Sequence, residues 1–243
     1  MIILEFVDSA IFFTFIGCSQ HNPLMKKALI IFAKQPLPGR VKTRLTPFLT
    51  PAAAADIYRC MLFDTLNKVQ KLEHVDRYLF YEAGDDAAAY FQMAATGMEA
   101  YPQRGSDLGE RMSDAFQRTL ARGYDVAAII GTDSPDIPVA FLEEAFLRLE
   151  DETVDAVFGP SEDGGYYLIA LKRLHAVLFE GIEWSGPSVL AVSLAEAESA
   201  GIRTALLSMW HDVDTVDDLC RPDLLDERNG APLTRRFIQK LLP

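Results

Sequence analysis

From residue 25 onward, short apolar runs alternate with longer stretches of helical spacing. Residues 27–33 (KALIIFA) read as a strand. Residues 52–72 read as a long amphipathic helix, with Ile57, Met61, Leu62, Leu66 and Val69 on one face. The pattern continues with a strand over 75–81, a short helix over 85–95 and a short strand over 98–101. A helix over 108–121 stops at Gly123. Residues 126–131 form a brief apolar run bounded by turn signals, the form of a strand buried on both faces. Pro138 then opens a helix over 139–149, and strands over 156–158 and 166–171 flank a Gly-Gly turn. A helix over 188–200 closes at Gly201. A strand over 203–207 and short helices over 216–225 and 233–242 complete the chain.

Strands alternating with helices predict an α/β fold, a mainly parallel sheet with helices on both faces. Ligands of such sheets bind outside the carboxyl ends of the strands, so the loops after the strands are where chemistry is sought. No Pro/Gly/Ser-rich linker interrupts residues 25–243, which read as one domain. Residues 1–24 do not fit that pattern. Their apolar run, 10–17, is too short to span a bilayer, and no Lys or Arg precedes it as a secretory signal requires. Met25-Lys26-Lys27 reads as a natural start, so 1–24 are expected to be a non-native or extra segment.

Composition narrows the function classes. The 243 residues are 49% hydrophobic and 24% charged, which excludes a disordered or collagen-like chain. A formal net charge of −12 argues against general nucleic-acid binding, because neutralising phosphates needs a basic surface. Cys18, Cys60 and Cys220 are too sparse for a disulfide framework or a zinc site, so a reducing, cytoplasmic setting is expected.

Against that acidic background the loop after the first strand stands out. Residues 26–55 hold six basic side chains and no acidic one. Lys34, Arg40, Lys42 and Arg44 lie in KQPLPGRVKTRL, stiffened by Pro36 and Pro38 and given a tight bend by Gly39. In an extended segment, Arg40, Lys42 and Arg44 would share a face. Guanidinium forks and an ammonium suit a di- or triphosphate. Neither the P-loop spacing nor G-x-G-x-x-G is present.

Two carboxylates complement this loop. Asp133, in GTDSPD, follows the buried strand and is placed to hold Mg²⁺ or Mn²⁺ against a nucleotide's phosphates. Asp136, two residues before Pro138, fits a helix cap. In HDVDTVDDL, Asp212 and Asp214 alternate. Asp214 is the better second metal ligand, His211 is read as simply hydrogen-bonded, and Thr215 with Asp218 forms a capping box.

Two further motifs have both structural and functional readings. Asp163-Gly164-Gly165-Tyr166 is a strong hairpin signal, and its glycines would also let a substrate approach the backbone. Asp163 would then contact substrate or act as a base. RGSDLGERM combines glycines with a helix start capped at Ser106 or Asp107, a place that also binds anions and hydroxyls. Trp184 reads mainly as packing.

The ordered segments FAKQPLPGRVKTRL, GSDLGERM, GTDSPD, GPSEDGGYYLIAL, EWSGPSVL and DVDTVDDL resemble a bacterial family of uncharacterised, glycosyltransferase-like proteins. That family, of the DUF2064 type, lies in the nucleotide-diphospho-sugar transferase superfamily. Guanylyltransferases acting on molybdopterin and on 2-phospholactate are its distant relatives. The resemblance spans about residues 26–225. It implies a GT-A-like three-layer sandwich with a mixed, mainly parallel sheet.

By that resemblance, Lys34, Gly39, Arg40, Lys42 and Arg44 handle phosphates, and Asp107, Gly109 and Arg111 border the ribose or base. Asp133 and Asp214 hold the metal. Asp163, Gly164, Gly165 and Tyr166 face the acceptor. Where the family pattern has Trp-Ser-Thr, this chain has Trp184-Ser185-Gly186, which removes that threonine as an acceptor contact.

The resulting expectation is a divalent-metal-dependent transferase with a nucleotide-sugar donor and a small-molecule acceptor, acting as a monomer or homodimer without a membrane span. Asp133, Asp163 and Lys42 are its catalytic candidates. The alternatives are a nucleotidyltransferase releasing pyrophosphate and a nucleotide-binding regulatory protein without turnover. Both transfer reactions leave charge on a phosphate, so the charge pattern serves either.

Overall fold

The computed structural model describes residues 25–184 and 186–241, and the expected extra segment 1–24 lies outside them. The strands are β1 (Lys27–Ala33), β2 (Val75–Tyr81), β3 (Glu99–Pro102), β4 (Val126–Ile130), β5 (Ala156–Pro160), β6 (Tyr166–Leu171) and β7 (Thr204–Leu206). They form one sheet in the order β3-β2-β1-β4-β6-β5-β7. β6 runs antiparallel to both neighbours, and every other pairing is parallel. The mixed, mainly parallel sheet of the GT-A-like expectation is therefore present.

The helices are α1 (Pro51–Val69), α2 (Ala87–Ala94), α3 (Leu108–Leu120), α4 (Val139–Glu150), α5 (Val189–Ser199), α6 (Val216–Leu219), α7 (Pro222–Leu225) and α8 (Pro232–Leu241). Alternation along β1 divides the core. Leu29, Ile31 and Ala33 pack with Leu66 of α1, Phe91 of α2 and Phe146 of α4. Ala28 and Ile30 pack on the opposite face with Phe116 of α3 and Ala197 of α5. This is the period-2 consequence of a strand covered on both sides. Outside α1, Ile57 and Met61 bury a third cluster with Leu219, Leu224 and Ile238 from the last helices. Asp64 of α1 caps α8 by accepting the backbone N–H groups of Leu233 and Thr234 (3.1 and 2.7 Å).

Three local expectations are corrected. The helix expected over 216–225 is two short helices, because Pro222 cannot continue the first and instead opens the second. Asp136 does not cap α4. Its fully buried carboxylate pairs with His211 Nε2 at 3.1 Å, and Pro138 occupies the N-cap position. Thr50 caps α1 by accepting from Ala53 N–H, so that helix starts at Pro51. The expected capping box of Thr215 and Asp218 is formed.

Candidate active site

The cleft opens where β1 and β4 end and the reversed strand β6 begins. It holds about 510 Å³, within the range of small-molecule sites. After β1 the chain turns back on itself. Leu37 N–H donates to Gln35 O (2.8 Å) and Arg40 N–H to Leu37 O (3.0 Å). Gly39 takes φ +74° and Lys42 takes φ 47°, ψ 42°. The loop is therefore not extended, and Arg40, Lys42 and Arg44 do not share a face. The cause is apolar. Val41 packs on Ala55 and Tyr58, and Leu45 enters the cluster outside α1. Burying both forces a 3-10 turn over Thr43–Leu45, with left-handed backbone at Lys42 before it. That conformation costs roughly 1–2 kcal/mol for a residue with a Cβ. It sends the Lys42 side chain inward, to 3% exposure, while that of Arg44 stays 71% exposed.

Lys42 Nζ stands 2.5 Å from Asp133 Oδ1 and 2.8 Å from Asp214 Oδ1. Arg44 Nη1 approaches the other oxygen of Asp214 at 3.2 Å. Burial alone would lower the Lys42 pKa, but the two carboxylates outweigh it and hold the ammonium above the ordinary lysine value. Burial would likewise raise Asp133, and Lys42 reverses this to keep its carboxyl below the usual range. Asp133 is recessed yet still meets solvent, with about half of its side chain (49%) exposed.

The loops carrying these acids are stitched together from below. Val213 N–H donates to Asp133 O (2.8 Å). Lys34 N–H donates to the Tyr58 hydroxyl (2.9 Å), which also shares a hydrogen bond with Thr132 Oγ1 (2.8 Å). Beneath them the buried Lys68 Nζ donates to Pro135 O and Ile137 O, each at 2.6 Å. Its pKa is pushed down to about 8, because burial penalises the ammonium more than Asp136 and Asp64 favour it. Buried carbonyls of an irregular loop need donors, and Lys68 supplies them.

Of the residues expected at the site, Lys34, Arg40, Lys42 and Arg111 line the cleft beside Asp133, Asp214 and Tyr166. Others do not. Asp107 caps α3 by accepting from Glu110 N–H (2.8 Å). Gly109 is buried, and a Cβ there would meet Phe179 O at 2.3 Å and the Trp184 indole at 2.7 Å, so it serves packing. Gly39 lies on the outer bend of the loop. Asp163 is exposed in the β5–β6 turn, its Oδ1 accepting from Gly165 N–H (2.9 Å). Gly164, at φ +89°, lies so close to Pro187 that no side chain fits.

Asp212, two residues before Asp214, also lines the cleft. Its carboxylate accepts from Ser134 Oγ (2.7 Å) and Ser161 Oγ (3.2 Å). Burial, reinforced by the nearby charge of Asp133, pushes its pKa up to about 6. The alternation of Asp212 with Asp214 was the signal that could have found it. Lys68 also left a trace, following Met61 and Thr65 at helical spacing on the buried face of α1.

Asp133 and Asp214 fit a divalent cation that arrives with phosphates. Mg²⁺ is commonly held by one or two carboxylates plus phosphate oxygens and water. Among the described residues no group of three or more His, Cys, Asp or Glu side chains is placed to form an all-protein metal site. Among them, too, no helix is long and apolar enough to cross a membrane.

Comparison with known proteins gives the chain a family and relatives of the same fold. A family model described as an uncharacterized protein conserved in bacteria (DUF2064) matches residues 65–186. The crystal structure of a protein from Desulfovibrio desulfuricans G20, described as a candidate nucleotide-diphospho-sugar transferase, superposes with a TM-score of 0.82. It shares 32% identity and covers 89% of this chain and 95% of its own. A 2-phospho-L-lactate guanylyltransferase from Methanothermobacter thermautotrophicus is 26% identical over 204 residues, 82% of this chain and 85% of the relative. A CMP:2-keto-3-deoxy-manno-octonic acid synthetase solved with CTP shares the fold, with a TM-score of 0.54 and 15% identity over 82% of this chain and 98% of its own.

Proposed function

The chain belongs to the bacterial DUF2064 family and is a transferase of the nucleotide-diphospho-sugar transferase fold, and from that premise we propose that it transfers a glycosyl group from a nucleotide-sugar donor to a small-molecule acceptor. One observation carries the reading: a cluster of two carboxylates and two cations, Asp133, Asp214, Lys42 and Arg44, brought together by the loops that follow β1, β4 and β7. The 32% identical relative, described as a candidate nucleotide-diphospho-sugar transferase, supports the choice of donor.

In this reading the donor's diphosphate lies along Lys34, Arg40, Lys42 and Arg44. Their fixed positive charge stabilises the negative charge that develops on the departing phosphate. Asp133 and Asp214 hold Mg²⁺ or Mn²⁺, which supplies Lewis-acid neutralisation of the same leaving group. Arg111 and Leu108 border the nucleoside. Tyr166 and Asp212 face the acceptor from the β6 side, and Asp212, oriented by two serine hydroxyls, accepts a hydrogen bond from an incoming hydroxyl.

A second reading, nucleotidyl transfer from a triphosphate, is favoured by the guanylyltransferase relative. Both are tested by a thermal-shift panel of nucleotide sugars and nucleoside triphosphates with and without Mn²⁺, followed by product analysis. A ligand at 100 times its Kd adds about 2.7 kcal/mol, or roughly 5–10 °C at this size. Release of a nucleoside diphosphate from a nucleotide sugar supports glycosyl transfer. Release of pyrophosphate from a triphosphate transfers the conclusion to the second reading. No shift with any nucleotide overturns both.

A further inference from the structure

Among the groups within ion-pair distance of one another, the charge cluster beside the cleft is balanced as it stands. Two carboxylates, Asp133 and Asp214, face two cations, Lys42 and Arg44. Lys42 is the inner partner, and it bridges both acids with one oxygen of each. A free divalent cation arriving here meets an ammonium already seated between its ligands. Displacing it leaves a buried lysine without its partners, which is costly in a recessed site. The third protein ligand that would compensate is lacking among the described residues.

A diphosphate changes this balance. Its oxygens offer Lys42 and Arg44 new anionic partners, bidentate in the case of the guanidinium. The carboxylates are thereby freed, and the same phosphates supply the remaining oxygen ligands of a metal.

We propose that Lys42 and Arg44 are specificity-determining residues that make this site accept a divalent metal only together with a diphosphate-bearing ligand, and reject the free cation. The proposal rests on the reading of the cleft as a nucleotide site and defines the form in which its metal enters. Metal and diphosphate then bind with mutual enhancement, since coupling between two ligands is reciprocal. The left-handed backbone at Lys42 is part of the device, because it aims the side chain at both acids before any ligand is present.

The test is calorimetric titration of Mn²⁺ alone, in metal-free buffer, into the wild type, Lys42→Met and Arg44→Ala. Lys42→Met is expected to bind Mn²⁺ alone about tenfold or more tightly than the wild type. Arg44→Ala, altered at an exposed side chain, should move the same way by less. Adding Asp133→Asn to Lys42→Met should abolish the gain, which assigns it to this site. Equal Mn²⁺ affinity in the wild type and Lys42→Met overturns the proposal. Should Lys42→Met not fold, Arg44→Ala decides, and an affinity equal to the wild type's is then the overturning result. Because the titration contains no nucleotide, its outcome is separate from that of the nucleotide panel, so the two readings fail independently.

Discussion

Val213 donates its backbone N–H to the carbonyl of Asp133, joining the loop after β4 to the loop after β7 at 2.8 Å. That one bond ties the backbone of Asp133 to the residue just before Asp214. Either Asp133→Asn or Asp214→Asn is expected to lower turnover at least about 100-fold, the scale of losing one preorganised charge at a leaving group. Both variants should remain folded, because Lys42 keeps the other carboxylate. Steady-state kinetics alongside a thermal melt checks this. Full activity in either variant would remove the metal role assigned to that residue.

The two carboxylates proposed for the acceptor, Asp163 from the sequence and Asp212 from the structure, differ in what surrounds them. Asp163 is exposed in a turn and occupied with Gly165 N–H, whereas Asp212 faces the cleft between two serines. Alanine at 212 is therefore expected to reduce kcat by at least tenfold more than alanine at 163. Kinetics at saturating donor reads this ranking directly, and the reverse order would return the acceptor role to Asp163.

Lys68 gives a pH prediction. Its pKa is about 8 in the folded protein, against an ordinary value of 10.5. Between those values the unfolded chain binds the proton more tightly than the folded one, so this group's contribution to stability rises with pH. Its unfavourable burial is fully present below about pH 8 and is relieved as pH climbs toward 10.5. Denaturant unfolding of the wild type and Lys68→Met at pH 7.5 and pH 9.5 should show a larger gain, or a smaller loss, in the wild type. Parallel pH dependence in the two proteins would show that Lys68 does not titrate in this window. At pH 7.5 the variant also strands two buried carbonyls, worth about 1–3 kcal/mol each.

Two glycines are expected to tolerate nothing larger. A Cβ on Gly164 would sit 1.8 Å from Pro187 O, and one on Gly109 would sit 2.3 Å from Phe179 O, in each case against backbone that does not rotate away. Gly164→Ala carries positive-φ strain as well, so it should lower the melting temperature more than Gly109→Ala. Overpacking of this kind typically costs about 1–3 kcal/mol. A melt within a degree of wild type for Gly164→Ala would show that the β5–β6 turn can shift away from the segment before α5.

Much of this was legible because local rules and tertiary structure agree. The apolar runs located every strand, and the strand-end rule located the cleft, since periodicity and burial are properties of the sequence itself. Asp133 was legible as a cleft residue because it stands three residues past β4, whereas Lys42 and Asp214 reach it only through the conformation of longer loops. What escaped is loop geometry. The alternation of Arg40, Lys42 and Arg44 implied a shared face only if the segment was extended, and the pull of Val41 and Leu45 into separate apolar clusters made it a turn instead. Asp136 has the spacing of a cap but is captured by His211 from a loop far along the chain. The pairing of Ser134 and Ser161 with Asp212 joins three loops, and no local pattern encodes it.

β6 runs against the rest of the sheet, and this divides the cleft by origin. The wall that carries Lys34, Arg40 and Lys42 is built where parallel strands finish, from loops that also hold the stitched backbone. The opposite wall is built where a strand begins, on a hairpin whose turn is anchored to the segment before α5 and does not pass through the phosphate loop. On the proposed reading, acceptor preference is thus separable from the phosphate loop. On that reading, exchanging the start of β6 together with the loop that carries Asp212 between homologues would change the acceptor and leave the phosphate loop as it is.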